Sequence, residues 1–240
     1  MRRQRCLPLL VVAAALLFVY VTYHADWSTT VWNACRNEDF LTTLARYATP
    51  DRFVVLALVD TAFVDMAINL VESSLRPNGI DNFLFVGAGR EACAILLNAS
   101  LPCFHYVEDK DTAVASIYKS PDFIRKMNIR TDMIIDALKA GFTVLHTDLD
   151  VVFLRNPLPE LKSIMLGADI AALWDSIAYN AGFAVIRPTW FSRKIYERMK
   201  SITRFSAKTD DQMALNLAIQ RMTRIYKNRG FNVVALDKKR

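Results

Sequence analysis

Residues 141–157 read GFTVLHTDLDVVFLRNP, in which a short apolar run is followed directly by two aspartates two positions apart. Because alternate side chains of an extended chain share one side, we expect the carboxylates of Asp148 and Asp150 to converge at the end of a strand. Two carboxylates this close repel each other unless a cation lies between them. Such oxygen ligands suit Mn²⁺ or Mg²⁺ and leave coordination positions open for substrate phosphates. The stretch therefore predicts a divalent metal that bridges a diphosphate.

A plain turn at the end of a strand is the alternative for this D-x-D tripeptide, which is common in proteins. The flanking residues favour the metal site. An apolar strand precedes the tripeptide, four apolar residues follow it at 151–154, and the residues RNP end the segment at 155–157. The whole pattern is much more specific than the tripeptide alone.

Strand-length apolar runs alternate with helical patterns on both sides of this stretch. The predicted strands cover residues 52–59, 82–86, 103–107, 142–146, 169–173, 182–186 and 231–236. The predicted helices cover residues 63–75, 90–98, 120–140, 189–202 and 210–228. This alternation predicts an α/β fold, with a mostly parallel sheet covered by helices on both faces and ligands at the carboxyl ends of its strands. We place the folded domain at residues 51–240 and interpret residues 24–50 as a stem or a first helix.

The composition excludes several classes of protein. The 240 residues are 53% hydrophobic and 22% charged, which excludes collagen, a low-complexity linker and a disordered tail. The mean hydropathy of +0.17 is high, but only one apolar run is long enough to cross a bilayer, so a polytopic membrane protein is excluded. The net charge is +6, and half of it comes from Arg2, Arg3 and Arg5. The remaining positive charge is too small and too scattered to predict a nucleic acid partner.

The one long apolar run covers residues 7–23, at the short end of what spans a bilayer. Positive charge stays on the cytoplasmic side, so we expect residues 1–6 in the cytosol and the chain after about residue 26 in the lumen. A cleaved signal peptide is the alternative, but the sequence HAD at 24–26 fits a cleavage site poorly. Short anchors suit early-secretory and Golgi bilayers. We therefore expect a single-pass type II protein of the Golgi membrane.

Two further features are consistent with a lumenal domain. Asn98 begins the tripeptide Asn98-Ala99-Ser100, a candidate glycosylation site. Cys93 and Cys103 can pair across a short loop, although free buried cysteines are an equal alternative. The sequence has no C-x-x-C spacing and no His/Cys cluster, so it predicts neither zinc nor redox chemistry.

Two more motifs follow the first one along the chain. They are YNAGFAVIRPT at 179–189 and DDQMALN at 210–216. In these three motifs the sequence resembles glycosyltransferase family 77, the nucleotide-diphospho-sugar transferases related to rhamnogalacturonan xylosyltransferases. Matching elements run from residue 52 to about residue 236. The resemblance implies a GT-A (Rossmann-like) fold, a nucleotide-sugar donor, a glycan or glycoprotein acceptor and a Golgi membrane location.

The resemblance also implies roles for individual residues of the donor site. Asp148 and Asp150 are implied to hold the metal together with the ribose and diphosphate of the donor. Asn180 and Gly182 match the asparagine-glycine pair that the family has beside the donor sugar. A simple turn before a strand is the alternative for this second pair.

The remaining implied site residues lie on two helices and at the end of the first strand. Asp211 and Gln212 match an acidic-glutamine pair at the start of the helix that closes the pocket, and with the two D-x-D aspartates they form the implied catalytic set. Asp60 to Phe63 are implied to lie near the nucleotide base. Arg130 is implied to bind the donor, because the family often has a basic residue on this helix.

Two of these assignments have structural alternatives. Thr209 and Gln212 also fit a capping box, in which Thr209 is the N-cap and Gln212 reaches back to it. Arg130 also fits a solvated helix face.

The sequence departs from the family in two places. The residues Gly87-Ala88-Gly89 stand where relatives usually carry an aspartate after the second strand. The sequence also stops directly after a predicted strand, where family members usually continue with loops on the acceptor side. We therefore expect either a minimal or partial version of the enzyme or impaired catalysis.

Taken together, the motifs and the resemblance predict a metal-dependent glycosyltransferase that retains anomeric configuration. The metal would neutralise charge on the departing diphosphate. The first alternative is a catalytically impaired module of the same fold that binds sugar nucleotides. The second is a metal-dependent phosphohydrolase, which is disfavoured because the sequence has no second metal cluster and its 3 histidines are scattered.

Overall fold

The structure is a computed structural model that describes residues 39–106, 115–205, 209–226 and 229–237. The helices are α1 (Phe40–Tyr47), α2 (Val64–Leu70), α3 (Arg90–Asn98), α4 (Pro121–Lys139), α5 (Leu158–Met165), α6 (Trp190–Phe205) and α7 (Asp211–Tyr226). The strands are β1 (Phe53–Val59), β2 (Phe83–Gly87), β3 (Cys103–His105), β4 (Thr143–Thr147), β5 (Ile170–Trp174), β6 (Tyr179–Ile186) and β7 (Val233–Leu236). A 3₁₀ turn at Thr61–Phe63 precedes α2, and a π-helical turn at Val71–Leu75 and a 3₁₀ turn at Arg76–Asn78 follow it.

The seven strands form one sheet in the order β3-β2-β1-β4-β6-β5-β7. Strand β6 runs antiparallel to both of its neighbours, β4 and β5, while the other neighbouring pairs are parallel. The prediction of an α/β fold with a mostly parallel sheet is therefore confirmed. The chain proceeds from β1 outward to β2 and β3 and returns to the other side of β1 at β4. The β1/β4 junction is thus a topological switch point, where folds of this class bind ligands.

Helices cover the sheet on both faces because its strands are apolar on both faces. In β1, the side chains of Val54 and Leu56 belong to one core cluster and those of Val55 and Ala57 to the other. Helices α1, α4, α6 and α7 pack into the first cluster. Helices α2, α3 and α5 pack into the second.

Helix α4 has clear start and stop signals. The side chain of Ser120 accepts a hydrogen bond from the Phe123 N–H at 3.1 Å, and Pro121 occupies the first turn, where its missing N–H costs nothing. The chain leaves the helix at Gly141, whose φ of 85° suits glycine. These signals fix the 19-residue helix that crosses the switch point.

Helix α1 agrees with the first-helix alternative for residues 24–50, and its Phe40 and Leu44 are buried in the core. Two other elements were not foreseen from the sequence. Helix α5 was not predicted. Strand β6 is antiparallel because only residues 175–178 separate it from β5, and parallel neighbours need a crossover connection.

Several of the membrane and compartment predictions concern residues outside the described ranges. The predicted anchor at 7–23 and the tail at 1–6 both lie outside them. Among the described helices, none is long and apolar enough to cross a bilayer.

Asn98 is exposed at the end of α3, and its glycosylation stays a prediction. Cys93 in α3 and Cys103 in β3 form a disulfide, so the pairing alternative holds rather than that of two free cysteines.

Candidate active site

The first aspartate of the D-x-D pair follows β4 at the switch point, beside β6. The Asp148 N–H donates to the carbonyl oxygen of Gly182 at 2.7 Å. Oδ1 of Asp148 accepts a hydrogen bond from Arg130 Nη1 at 2.9 Å. Oδ2 lies where a Cβ on residue 182 would be and has no hydrogen-bond partner among the described residues. The Asp148 side chain is 47% exposed, so it is accessible from solvent despite its ion pair.

Arg130 on α4 is only 5% exposed, and its guanidinium joins three elements. Nη1 contacts Asp148 and lies 3.3 Å from Nε2 of His146 in β4. Nη2 contacts Asp211 in the first turn of α7. A buried guanidinium is costly unless its charge is compensated, and these two carboxylates compensate it. The alternative of a solvated helix face is therefore wrong for Arg130.

Burial and charge set the ionisation of this cluster. Burial lowers the pKa of the His146 imidazole, so the ring is neutral at pH 7. Burial alone would raise the pKa of the Asp148 carboxyl, but His146 and Arg130 together hold that pKa well below its ordinary value. Arg130 therefore lies between two carboxylates, those of Asp148 and Asp211.

The residues present fit a hard divalent cation that is bound by few protein oxygens. Oδ2 of Asp148 and the exposed carboxyl group of Asp150 would be the oxygen ligands. Within the described ranges, no three His, Cys, Asp or Glu side chains form a metal cluster. A metal at this position would take most of its ligands from water and from phosphates, as Mg²⁺ commonly does. These two aspartates would hold Mn²⁺ or Mg²⁺ only together with water or substrate oxygens, and they do not fit a metal that is bound by protein side chains alone.

The asparagine-glycine pair of β6 forms the wall against which the Asp148 carboxylate lies. Asn180 Oδ1 accepts a hydrogen bond from the Gly182 N–H at 2.6 Å. A Cβ at position 182 would lie 2.0 Å from Asp148 Oδ2, which no real contact allows. Only glycine therefore permits this position of Asp148.

Helix α7 begins at the other side of Arg130. Its N-cap is Asp210, whose Oδ1 accepts a hydrogen bond from the Met213 N–H at 2.8 Å. In the capping-box alternative the N-cap was Thr209, one residue earlier. Asp211 is buried against Arg130, and Gln212 lines an adjoining cleft.

A second buried ion pair lies at the end of β1, one helical turn along α4 from Arg130. Lys126 Nζ donates to Asp60 Oδ2 at 2.6 Å and lies 3.2 Å from Asp122 Oδ2. Burial alone would lower the pKa of the Lys126 ammonium, but Asp60 and Asp122 hold that pKa above its ordinary value. Phe63 ends the following 3₁₀ turn and is partly exposed. Helix α4 thus places one cation over the end of β1 and one over the end of β4.

The structure assembles most of the predicted site. Four side chains, and the glycine that accommodates one of them, are joined in one contact set: Arg130, Asp148, Asn180, Gly182 and Asp211. Asp60 and Phe63 lie after the neighbouring strand, Asp150 is exposed just beyond the first aspartate, and Gln212 faces the cleft.

Sequence reasoning missed two residues that lie in this region. Lys126 is four residues before Arg130 and therefore on the same helix face. His146 is two residues before Asp148 and therefore on the same side of the strand. Both spacings are visible in the sequence, but without the packing neither residue could be told from a solvated lysine or a core histidine.

A cleft of about 870 Å³ adjoins the buried cluster. It lies between the β5–β6 turn and α7, and its lining includes Trp174, Tyr179, Asp211, Gln212 and Gln220. Asp211 belongs both to this lining and to the contact set around Arg130. The cleft therefore leads away from the candidate metal site along α7.

The sheet is covered on both faces, and the acidic side chains lie at its switch point, where sheets of this kind bind ligands. Residues 78–240 match the family model described as nucleotide-diphospho-sugar transferase. The chain belongs to this family, and the resemblance inferred from its three motifs is confirmed. The seven-stranded sheet with its helices also fits the GT-A architecture.

Three proteins of Arabidopsis thaliana are similar to the chain. It is 29% identical over 160 residues to beta-arabinofuranosyltransferase RAY1, covering 66% of this chain and 29% of that protein. It is 31% identical over 173 residues to an uncharacterized protein, covering 64% and 52%. It is 24% identical over 187 residues to arabinosyltransferase XEG113, covering 71% and 29%. The chain thus spans between about a third and a half of the length of the curated relatives it matches.

Proposed function

We propose that this protein is a glycosyltransferase that moves a sugar from a nucleoside-diphosphate donor to an acceptor hydroxyl. The proposal rests on two ion pairs at the switch point of the sheet. Asp60 after β1 and Asp148 after β4 are each held by a buried cation of α4, Lys126 and Arg130. In folds of this class the nucleotide occupies the crevice between two such strand ends.

The proposal includes a divalent cation, Mn²⁺ or Mg²⁺, held by Asp148 and Asp150. When bound, such an ion supplies positive charge to the departing diphosphate. Arg130 orients the Asp148 carboxylate through Oδ1 and leaves Oδ2 available. The Oδ2 oxygen of Asp148 and the exposed carboxyl group of Asp150 are the oxygens available to such an ion.

The residues around the candidate metal position would orient the donor and the acceptor. Gly182 leaves room for the Asp148 carboxylate, and Asn180 fixes the strand end through the Gly182 N–H. Arg130 holds Asp211 at the boundary between the buried cluster and the cleft. A donor between these walls and an acceptor in the cleft would meet in a fixed orientation, which lowers the entropic part of the barrier.

Two finer features of the proposal rest on the relatives. Two of the similar proteins are named arabinosyltransferases, so arabinose is the first donor sugar to test. Retention of anomeric configuration follows from the family resemblance. Analysis of the product anomer by NMR distinguishes retention from inversion.

We also propose that the protein is a type II protein of the Golgi membrane, with the catalytic domain in the lumen. The apolar run at 7–23 and its flanking arginines support the anchor. The disulfide between Cys93 and Cys103 supports an oxidising compartment.

The test is a donor screen on the full chain. Release of nucleoside diphosphate is measured for a panel of nucleotide sugars, with an acceptor mixture, with Mn²⁺ and with a chelator. We expect release for at least one donor that depends on the metal. Asp150→Asn removes a charge with almost no change in volume, so it should abolish this release and leave the fold intact.

Asp81→Asn is the matched control, because Asp81 is also exposed and lies in the loop before β2. It should behave like the parent chain. Equal turnover by Asp150→Asn and the parent would contradict the site assignment. Binding of donor without any turnover would instead assign the chain as a sugar-nucleotide-binding module, and phosphate release from simple esters would assign a phosphohydrolase.

A further inference from the structure

We propose that the cleft beside Asp211 is the acceptor subsite and that it binds a carbohydrate ring stacked on Trp174. This inference rests on the proposed function, because it names the acceptor class and the residue that receives it. Trp174 lies at the end of β5, and no motif of the sequence analysis includes it.

Trp174 forms an aromatic wall of the cleft. It is 38% exposed, and its ring lies 5.0 Å from the ring of Tyr179 at an interplanar angle of 80°. This edge-to-face contact holds the indole in one orientation. The β5–β6 turn is itself ordered, because the Asp175 N–H donates to the Ala178 carbonyl oxygen at 2.7 Å.

Asn216 ties this wall to α7. Its Oδ1 accepts a hydrogen bond from the Tyr179 N–H at 2.9 Å, and its Nδ2 donates to the Tyr179 carbonyl oxygen at 2.8 Å. The aromatic pair and the helix therefore form one rigid frame. A binding surface that is already fixed loses little conformational entropy when a ligand arrives.

The opposite wall carries side-chain amides. Gln212 and Gln220 both line the cleft, and the described residues supply no hydrogen-bond partner for either amide. A sugar ring presents C–H groups on its faces and hydroxyl groups around its edge. The C–H groups suit the negative face of an indole, and the hydroxyls suit amide donors and acceptors.

A polar ligand fits this cleft better than an apolar peptide. An apolar segment packed against Trp174 would bury the amides of Gln212 and Gln220 without replacing their hydrogen bonds to water, which is costly. Asp211, which Arg130 holds, closes the inner end of the cleft. A ring on Trp174 would therefore place its hydroxyls on the side of the donor site.

The first test separates acceptor binding from donor binding by steady-state kinetics. Trp174→Ala should raise the KM for a disaccharide acceptor about tenfold, which corresponds to about 1.4 kcal/mol. Trp174→Phe keeps an aromatic face and should recover most of that loss. Trp190→Ala is the matched control, because Trp190 is 45% exposed and packs on Phe191 and Tyr226 instead of lining the cleft. It should leave the acceptor KM unchanged.

The second test is direct binding without donor. Intrinsic fluorescence is titrated with disaccharides of arabinose, xylose and galactose and with an unglycosylated peptide, in a Trp190→Phe background. Saturable quenching by a disaccharide that Trp174→Phe removes would support the proposal. Saturation by the peptide alone would overturn it.

The two proposals fail separately. An unchanged acceptor KM in Trp174→Ala, in a parent chain that turns over donor, overturns the acceptor subsite only. A parent chain that releases no nucleoside diphosphate from any donor overturns the proposed function itself.

Discussion

The Asp148 N–H donates to the carbonyl oxygen of Gly182 at 2.7 Å, and the Asp148 carboxylate then folds back over the Gly182 Cα. The Asp148 carboxylate, just after β4, therefore occupies the space that a methyl group on residue 182 of β6 would need. The position of the first D-x-D carboxylate depends on the absence of a side chain at residue 182.

Replacement of this glycine should move the carboxylate. In Gly182→Ala the new Cβ would lie 2.0 Å from Asp148 Oδ2, so Asp148 must leave its present position. We expect metal-dependent nucleoside-diphosphate release to fall at least a hundredfold, and overpacking to lower the free energy of unfolding by about 1–3 kcal/mol. Activity and urea denaturation are measured on the same preparation.

Gly167→Ala is the control for this substitution. An added Cβ at residue 167 meets no atom within 4 Å. The variant should keep the activity and stability of the parent. Full activity of Gly182→Ala would show that Asp148 does not need its present position.

The buried ion pair between Arg130 and Asp211 should show strong energetic coupling. Arg130→Met leaves the Asp211 carboxylate buried without its partner, and we expect a loss of about 3–5 kcal/mol in the free energy of unfolding. Asp211→Leu should cost less than Arg130→Met, because the Arg130 guanidinium keeps Asp148 as a partner. The double variant should lose much less than the sum of the two, because neither charge then remains buried.

Urea denaturation of the four proteins measures this coupling. The comparison is Arg155→Met, which removes an arginine whose side chain is 75% exposed and pairs with Glu160. That change should cost less than about 1 kcal/mol, because exposed ion pairs contribute little. Additive losses at Arg130 and Asp211 would mean that the two charges do not depend on each other.

The disulfide between Cys93 and Cys103 should stabilise the edge of the sheet that carries β3. It closes a loop with a sequence separation of 10. Because the crosslink lowers the entropy of the unfolded chain, it should raise the free energy of unfolding by about 2–3 kcal/mol. Dithiothreitol should therefore lower the free energy of unfolding of the parent by that amount. It should not affect the double variant Cys93→Ala, Cys103→Ala, and an equal effect on both proteins would contradict the assignment.

The sequence predicted the elements that carry the site because their signals are local. The D-x-D aspartates follow an apolar run of strand length, and the boundaries of β4 differ from the predicted strand by one residue at each end. Helix α4 begins at Pro121 and ends before Gly141, as its capping residues indicate. Local hydrogen bonding and side-chain alternation act over a few residues, so they leave a pattern in the sequence.

The sequence did not predict which partners these residues meet. Arg130 is 18 residues before Asp148 and 81 before Asp211, and the alternative of a solvated helix face fitted its spacing equally well. Trp174 had no motif at all, and its place in the cleft depends on the antiparallel return of β6 and on the packing of α7. Contacts between distant segments are set by how the helices pack on the sheet.

The α/β alternation, the change from a strand to an acidic loop near residues 146–148, and the family of the three motifs can all be read from the amino-acid sequence. Three features of the site became visible only in the folded chain: Arg130 holds one carboxylate of the pair, Gly182 makes room for it, and a cleft opens beside Asp211. Periodicity and capping are properties of neighbouring residues, so they leave a pattern in the sequence. The compensation of a buried charge is instead a property of whichever distant side chains the folded chain brings within 3 to 4 Å of it.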